Sequence, residues 1–429
     1  MSRLRKLLTP GAFMRAVAVL VGGTAVGQVV VLGASPILSR LFDPESFGLL
    51  AVYTAILSVA VSAGSLRLEQ AIGLPKSEQE AYNVFVLAAL SASSVAVVVW
   101  LLGLFAPGIL FASAGEETPS WMAWLVPVGI LFGSIYQAMS VWALRERAFK
   151  SLAATKVSQS VGATAIQLAA GFLGAGPIGL VGGHAAGQSI GSGSLFHSTM
   201  RRRNLRLPTR GELGTSLKRF RRFPLLATPA ALLNSLSLQI PVFILTPAVG
   251  VALMGQYFMA YRMTFAPLDL LGRSIGQVFY SEAITLGAEQ PRKLRRLVAV
   301  TSLKSFLIGL VPGLAILLLS PIVFPLIFGG EWQEAGYMSQ ALAVMLMANF
   351  AISPVSQIFL IVEKQFFSVI VNAAKILVSA SSLLIPINLG LSAVMIVLVY
   401  SCAMALYYLG VLVTALLLLS VMKARNEED

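Results

Sequence analysis

The 429-residue chain carries 31 Lys or Arg against 18 Asp or Glu, a net charge of +13, yet only 11% of its residues are charged and 57% are hydrophobic. A soluble domain carries about 25% charge, so this composition, with a mean hydropathy of +0.83, excludes a water-soluble fold and predicts a polytopic membrane protein. The basic excess does not indicate nucleic acid, because Lys and Arg sit between apolar runs with no groove-reading or base-stacking module. The lone Cys402 rules out an intramolecular disulfide and a thiolate metal cluster, and is expected to be a small buried residue.

A spanning helix needs about 20 mainly apolar residues. Segments approaching that length are centred near Val26, Ile56, Val95, Phe132, Ala163, Gly187, Leu236, Thr264, Gly309, Leu346, Ser379 and Ala405, which predicts about twelve spans. The first follows Arg3, Arg5 and Lys6 without a small-residue cleavage site and is expected to remain as an uncleaved span. Basic residues concentrate in alternate loops: Lys76; Arg145, Arg147 and Lys150; the run 201–222; Arg292, Lys293, Arg295 and Arg296; Lys364. Lys423 and Arg425 continue the pattern in the C-terminal tail, whereas the other loops hold Asp43, Glu45, Glu116, Glu117, Glu331 and Glu334, with Arg40 at an edge. Because Lys and Arg stay on the cytoplasmic side, both termini and the run 201–222 are expected there.

The run RRRNLRLPTRGELGTSLKRFRR, with Glu212 as its single acid, divides the chain into an N-terminal lobe (1–200), a basic linker (201–222) and a C-terminal lobe (223–429). Similar marks recur in both lobes. Glu146-Arg147-Ala148-Phe149-Lys150-Ser151 matches Glu363-Lys364-Gln365-Phe366-Phe367-Ser368, Phe47-Gly48 matches Met254-Gly255, and Pro36 matches Pro241. An even number of spans per lobe preserves orientation. The expected architecture is therefore all-α, with two six-helix lobes related by a pseudo-two-fold along the membrane normal.

Within the sixth span Gly179, Gly183, Gly187 and Gly191 recur every four residues, a ridge on which another helix can pack closely. His184 beside it is expected to join helices by a hydrogen bond. Pro267, Pro312 and Pro354 each remove a backbone donor and are expected to bend spans. In the eighth span Arg262, Asp269 and Arg273 fall on one helical face, because seven and eleven residues return to within about 20° of the start. Charge inside a bilayer is costly and should face protein or water. That face is therefore expected to line a cavity, unless Asp269 and Arg273 simply neutralise one another.

Arg67 and Glu69 near the end of the second span, Lys304 in the ninth and Lys375 in the eleventh are further intramembrane charges. Thr24 and Gln28, with Asn234, Ser235 and Gln239, supply uncharged groups suited to sugar hydroxyls or to helix joining. The surplus of cations suits an anionic, phosphate-bearing amphiphile, since guanidinium forms paired hydrogen bonds with phosphate. Asp269 and Glu69 are the protonatable groups placed for ion coupling. No GxxxxGK[ST] motif is present, so the chain carries no nucleotide-driven motor of that type. No cofactor or metal is expected, and the short outer loops leave no room for a catalytic domain.

Gly27-Gln28, Pro36-Ile37-Leu38-Ser39-Arg40-Leu41-Phe42, Pro44-Glu45-Ser46-Phe47-Gly48 and Leu66-Arg67-Leu68-Glu69-Gln70-Ala71-Ile72 together resemble the opening pattern of a known family. This is the O-antigen flippase type of polysaccharide transporter within the multidrug/oligosaccharidyl-lipid/polysaccharide (MOP) exporter superfamily. The resemblance implies a polyprenyl-diphosphate-linked oligosaccharide as substrate, moved by alternating access through a cavity lined chiefly by the first, second, seventh and eighth spans. Arg40, Arg67, Arg262, Asp269 and Arg273 fall on such spans. Membrane lipid, a polysaccharide polymerase and chain-length machinery are the partners it implies. A gradient-driven small-molecule exporter of the same superfamily is the alternative, and a membrane glycan polymerase or ligase is the enzymatic one.

Overall fold

A computed structural model of the protein describes residues 10–110, 119–199, 205–287, 289–362 and 365–428. Arg3, Arg5, Lys6, Glu116, Glu117, Arg201, Arg202, Arg203, Glu363 and Lys364 lie outside these residues.

The predicted spans all fall within long helices. Before the basic run these are α1 (Pro10–Leu41), α2 (Pro44–Gly64), α3 (Glu78–Phe105), α4 (Met122–Arg145), α5 (Phe149–Phe172) and α6 (Gly176–Thr199). A short helix, α7 (Arg210–Phe220), lies in the linker, followed by α8 (Thr228–Val249), α9 (Val251–Leu286), α10 (Pro291–Phe328), α11 (Gln333–Ile352), α12 (Gln365–Asn388) and α13 (Ala393–Glu428). Among the described residues nine helices are long and apolar enough to cross a membrane. The remaining long ones, α5, α6 and α9, carry the glycines and polar side chains that lower their hydropathy. At 1.5 Å per residue, the 24 residues of α5 or α6 still reach about 36 Å. Side chains such as Phe105 (82% exposed) and Leu173 (85%) project outward as lipid contacts would require. The chain is a multi-pass membrane protein.

Helix ends follow local chemistry. Asp43 caps α2 by accepting from Ser46 N–H at 2.9 Å, and Ser77 caps α3 by accepting from Glu80 N–H at 3.1 Å. Gly250 (φ 87°) separates α8 from α9, a left-handed position that favours glycine. The matched dipeptides occupy equivalent places: Phe47 begins three residues into α2 (47 − 44) and Met254 three into α9 (254 − 251), and both are fully buried.

The chain folds into two compact units, Met1–Val251 and Ala252–Asp429. In unit 1 the seventh long helix, α8, packs on α2, α1 packs on α5, and α5 packs on α6. The glycine ridge of α6 makes the last contact possible. A Cβ on Gly187 would stand 2.6 Å from Ala163 Cβ and 3.0 Å from the Gln159 carbonyl, so only glycine permits this approach. One core cluster, with Leu68, Ile72, Phe85 and Trp142 at its centre, joins α3 and α4 to the 3₁₀ turn Leu68–Gly73.

The linker is a docked element. Thr209 and Glu212 form a capping box on α7, and Arg206 pairs with Glu212. The Thr209 backbone N–H, then its hydroxyl and Arg206, hold the Glu212 carboxyl below the ordinary carboxylate range. Arg219 pairs with Glu80 at the start of α3, Gln79 Nε2 donates to the Arg206 carbonyl at 2.8 Å, and Phe220 is buried in the core cluster.

Unit 2 is held by polar clamps between packed helices. Gln256 near the start of α9 donates to the Glu331 carbonyl (2.5 Å) and accepts from Ala335 N–H (3.0 Å). Ala335 lies in the first turn of α11, where backbone donors lack intrahelical partners. Gln256→Leu is therefore expected to cost about 1–3 kcal/mol for groups left unsatisfied, read as a lowered Tm in detergent. Farther along, Ser401 Oγ accepts from Met345 N–H at 3.0 Å. Its neighbour Cys402 corrects the expectation of burial: it is exposed, on the outer side of α13. Pro354 also departs from expectation. It sits in the 3₁₀ turn Ser353–Val355 that ends α11, whereas Pro267 and Pro312 do lie within helices.

Candidate functional site

The site is built where α2 ends. Leu66 (φ 51°) and Arg67 (φ 57°) are consecutive left-handed residues, and neither is glycine. Such positions cost roughly 1–3 kcal/mol each and persist only when their surroundings over-determine them. Here the constraints are visible. Leu66 N–H donates to Ala63 O (2.8 Å), Leu68 N–H to Ser65 O (3.0 Å) and Gln70 N–H to Arg67 O (3.1 Å). Glu69, 3% exposed, accepts from the Ser65 hydroxyl and from Arg67 Nη1 at 3.4 Å. Ser65, Arg67 and Glu69 thus form a polar knot under a strained turn. The buried Arg67 Nε has no hydrogen-bond partner among the described residues.

This knot lies on the wall of a cavity of about 960 Å³ inside unit 1. That is at the upper end of the ~300–1,000 Å³ typical of small-molecule sites. Residues of α1, α2, α4, α5, α6 and α8 surround it. Its ionisable lining consists of Arg67, Lys156, His184 and Tyr136 against the single carboxylate Glu69. The rest of the polar wall is largely amide and hydroxyl, including Gln137, Gln159, Gln188 and Asn234. His184 Nε2 lies 3.4 Å from Gln188 Nε2 on its own helix and meets Tyr53 of α2 edge-on at 6.0 Å. Its contact with Tyr53 is thus a ring contact and not the expected hydrogen bond, its polar contact with Gln188 stays within α6, and the imidazole lines the cavity.

Of the residues singled out from sequence, Arg67, Glu69, Asn234 and Ser235 line this cavity. Gln28 on α1 and Gln239 on α8 are half-buried and stand outside its lining, and Arg40 at the end of α1 is exposed. Thr24 of α1 is half-buried, also outside that lining, and donates to the Leu20 carbonyl at 3.0 Å. Arg262, Asp269, Arg273, Lys304 and Lys375 belong to unit 2. There Asp269 accepts from Arg273 Nε (3.1 Å) and Nη2 (2.7 Å), an exposed i,i+4 pair. Asp269 also borders a small cleft with Asn349 and Ser353. Arg262 is half-buried on the same helix beside the stacked rings of Tyr261 and Phe265, 4.6 Å apart. Arg262 and the half-buried Lys375 of α12 have no hydrogen-bond or ion-pair partner among the described residues. Lys304 is exposed.

Sequence reading missed Lys156, although a lone lysine seven residues before the centre of the fifth predicted span, near Ala163, was visible. It also missed Gln159 and Gln188, whose facing depends on helix rotation. No group of His, Cys, Asp or Glu able to hold a metal ion occurs among the described residues. The arrangement can hold a hydroxyl-rich, anionic ligand. Its amides match hydroxyls, and its cations match phosphate or carboxylate oxygens.

Comparison with known proteins bears on the family and the fold. The family model described as "Polysaccharide biosynthesis protein" matches residues 37–337. No curated protein sequence matches. Among solved structures, the lipid II flippase MurJ in an inward closed conformation superposes with a TM-score of 0.68 at 13% identity, covering 95% of this chain and 92% of its own. A MOP superfamily transporter from Pyrococcus furiosus, whose description stresses a binding pocket of reversed polarity, gives 0.58 at 16% identity over 95% and 96%. An inward-facing multidrug resistance MATE family transporter of the same superfamily gives 0.57 at 17% identity over 94% and 95%. At these identities the likeness is one of fold.

Proposed function

We propose, for a chain that belongs to the polysaccharide biosynthesis protein family, that it is a flippase carrying a polyprenyl-diphosphate-linked oligosaccharide across the bacterial inner membrane by alternating access. The observation that carries this reading is the unit 1 cavity: large, amide-rich and more cationic than acidic, inside a membrane protein with a MOP transporter fold. In this reading Arg67, Arg262, Arg273, Arg40 and Lys375 serve the anionic headgroup, and Gln28, Asn234 and Gln239 serve sugar hydroxyls. Asp269 and Glu69 are the coupling groups if an ion drives the cycle. The lobes 1–200 and 223–429 flank the cytoplasmic linker, and both termini share its side, as the distribution of Lys and Arg supports. The protein transports rather than makes or breaks glycosidic bonds, and hands its cargo to a polymerase and chain-length machinery.

The test is reconstitution in liposomes, following access of a fluorescent polyprenyl-diphosphate oligosaccharide to an outside quencher. Wild-type protein is expected to move the lipid. Arg262→Ala is expected to slow it at least about tenfold at unchanged Tm, because hydrogen bonds to charged groups contribute about 1.5–3 kcal/mol. pH-driven efflux of an organic cation without any lipid movement would instead identify a small-molecule exporter.

A further inference from the structure

Lys156 is the cation in the cavity that none of these roles uses. Its direction follows from backbone packing on both sides of α5. Toward α1, a Cβ on Gly23 would stand 2.9 Å from Ala153 Cα, and one on Gly27 would stand 3.4 Å from the Lys156 carbonyl. Toward α6, Gly183 and Gly187 press on the backbone of Gln167 and Gln159. The strip Lys156, Gln159, Ser160 and Ala163, spaced i, i+3, i+4 and i+7, borders both seams, with Lys156 and Ser160 toward α1 and Gln159 and Ala163 toward α6, and lines the cavity.

Depth distinguishes Lys156 from Arg67. Arg145 at the end of α4 donates to the Ile72 carbonyl at 3.0 Å, so the knot's turn and the start of α5 at Phe149 share one end of the unit. Lys156 is seven residues farther along, about 10 Å at the helical rise. Its Nζ stands over the Tyr136 ring, 6.0 Å from the centroid. Tyr136 is nine residues before Arg145, about 14 Å from that same end. The lysine therefore reaches inward, whereas a lysine near a helix end ordinarily snorkels to the nearer interface. A cation held inward in a spanning segment is functional by default.

We propose that Lys156 is the anion-binding residue of a second headgroup station in unit 1, about 10 Å along α5 from the end that the Arg67 turn occupies. It takes an anionic group of the lipid-linked headgroup, either a phosphate of the diphosphate or a carboxylate of an acidic sugar. Gln137, Gln159 and Gln188 hydrogen-bond the hydroxyls around it. The inference rests on the flippase reading and adds a residue and a depth to it.

The test uses full-length protein in nanodiscs and two fluorescent polyprenyl-diphosphate disaccharides, one neutral and one carrying a uronate. Lys156→Gln is expected to weaken binding about tenfold or more, and Lys156→Arg to bind more tightly than Lys156→Gln, with Tm unchanged in both. Equal weakening for the two lipids assigns the station to phosphate, and weakening for the uronate lipid alone assigns it to the carboxylate; either supports the proposal. Wild-type affinity in a folded Lys156→Gln variant overturns the station and leaves the flippase reading standing. Wild-type protein that neither binds nor moves either lipid overturns both. Independently of any variant, the lipids are expected to protect Lys156 of the wild type from a water-soluble amine-reactive reagent, read by mass spectrometry. Undiminished labelling beside measurable lipid binding also overturns the station.

Discussion

Glu69→Ala is expected to unfold at a markedly lower temperature than wild type and to lose headgroup binding as well. The carboxylate is 3% exposed and accepts from both Ser65 and Arg67 beneath two consecutive left-handed residues. Removing one partner of a buried ion pair costs about 3–5 kcal/mol, because the other charge is left uncompensated. The Arg67 side chain is 26% exposed, so water screens part of that cost and the expected loss lies near the lower end. Freed of its anchor, the turn has less to offset its backbone strain, and Arg67 leaves its place on the cavity wall. Glu69→Gln keeps an acceptor for Ser65 but not the charge, so an intermediate Tm is expected. An alanine variant with wild-type Tm would mean that packing of Leu68 and Ile72 alone holds the turn.

Gly336→Val is expected to prevent recovery of monodisperse protein, or to lower its Tm by more than Gln256→Leu does. Gly336 lies where α11 crosses α10, and its carbonyl accepts from Ser320 Oγ at 2.9 Å. A Cβ there would stand 2.8 Å from the Ser320 carbonyl oxygen and 3.1 Å from Pro321 Cα. Both are backbone atoms that cannot rotate away, so the helices must separate. Overpacking a well-filled core costs about 1–3 kcal/mol and more where the backbone must shift. Separation would also pull Ala335 from Gln256. Gly330→Ala is the control: it lies six residues earlier, nothing stands within 4 Å of its added Cβ, and its Tm is expected to match wild type. Equal loss in both variants would mean that the close approach at the crossing is not what requires glycine at Gly336.

Hydropathy and spacing are local properties, and they made the membrane class, the positions of the long helices and the α6 glycine ridge legible from residues alone. The capping box on α7 needed only Thr209 and Glu212 three residues apart. Arg67 and Glu69 were recognisable because charge within an apolar run is costly wherever the chain goes. Their relation was not: a left-handed pair at Leu66 and Arg67 exists only because the surrounding core and the Ser65–Glu69 bond hold it. The same limit explains Lys156. Its presence in a span was visible, but its inward direction depends on Gly23, Gly27, Gly183 and Gly187 fixing the rotation of α5 between two neighbours. Sequence period says which residues share a face, and only packed backbones decide what that face meets. Tertiary packing alone also docked the basic linker on α3, paired Gln256 with the start of α11 and turned Cys402 outward, since each depends on partners distant in the chain.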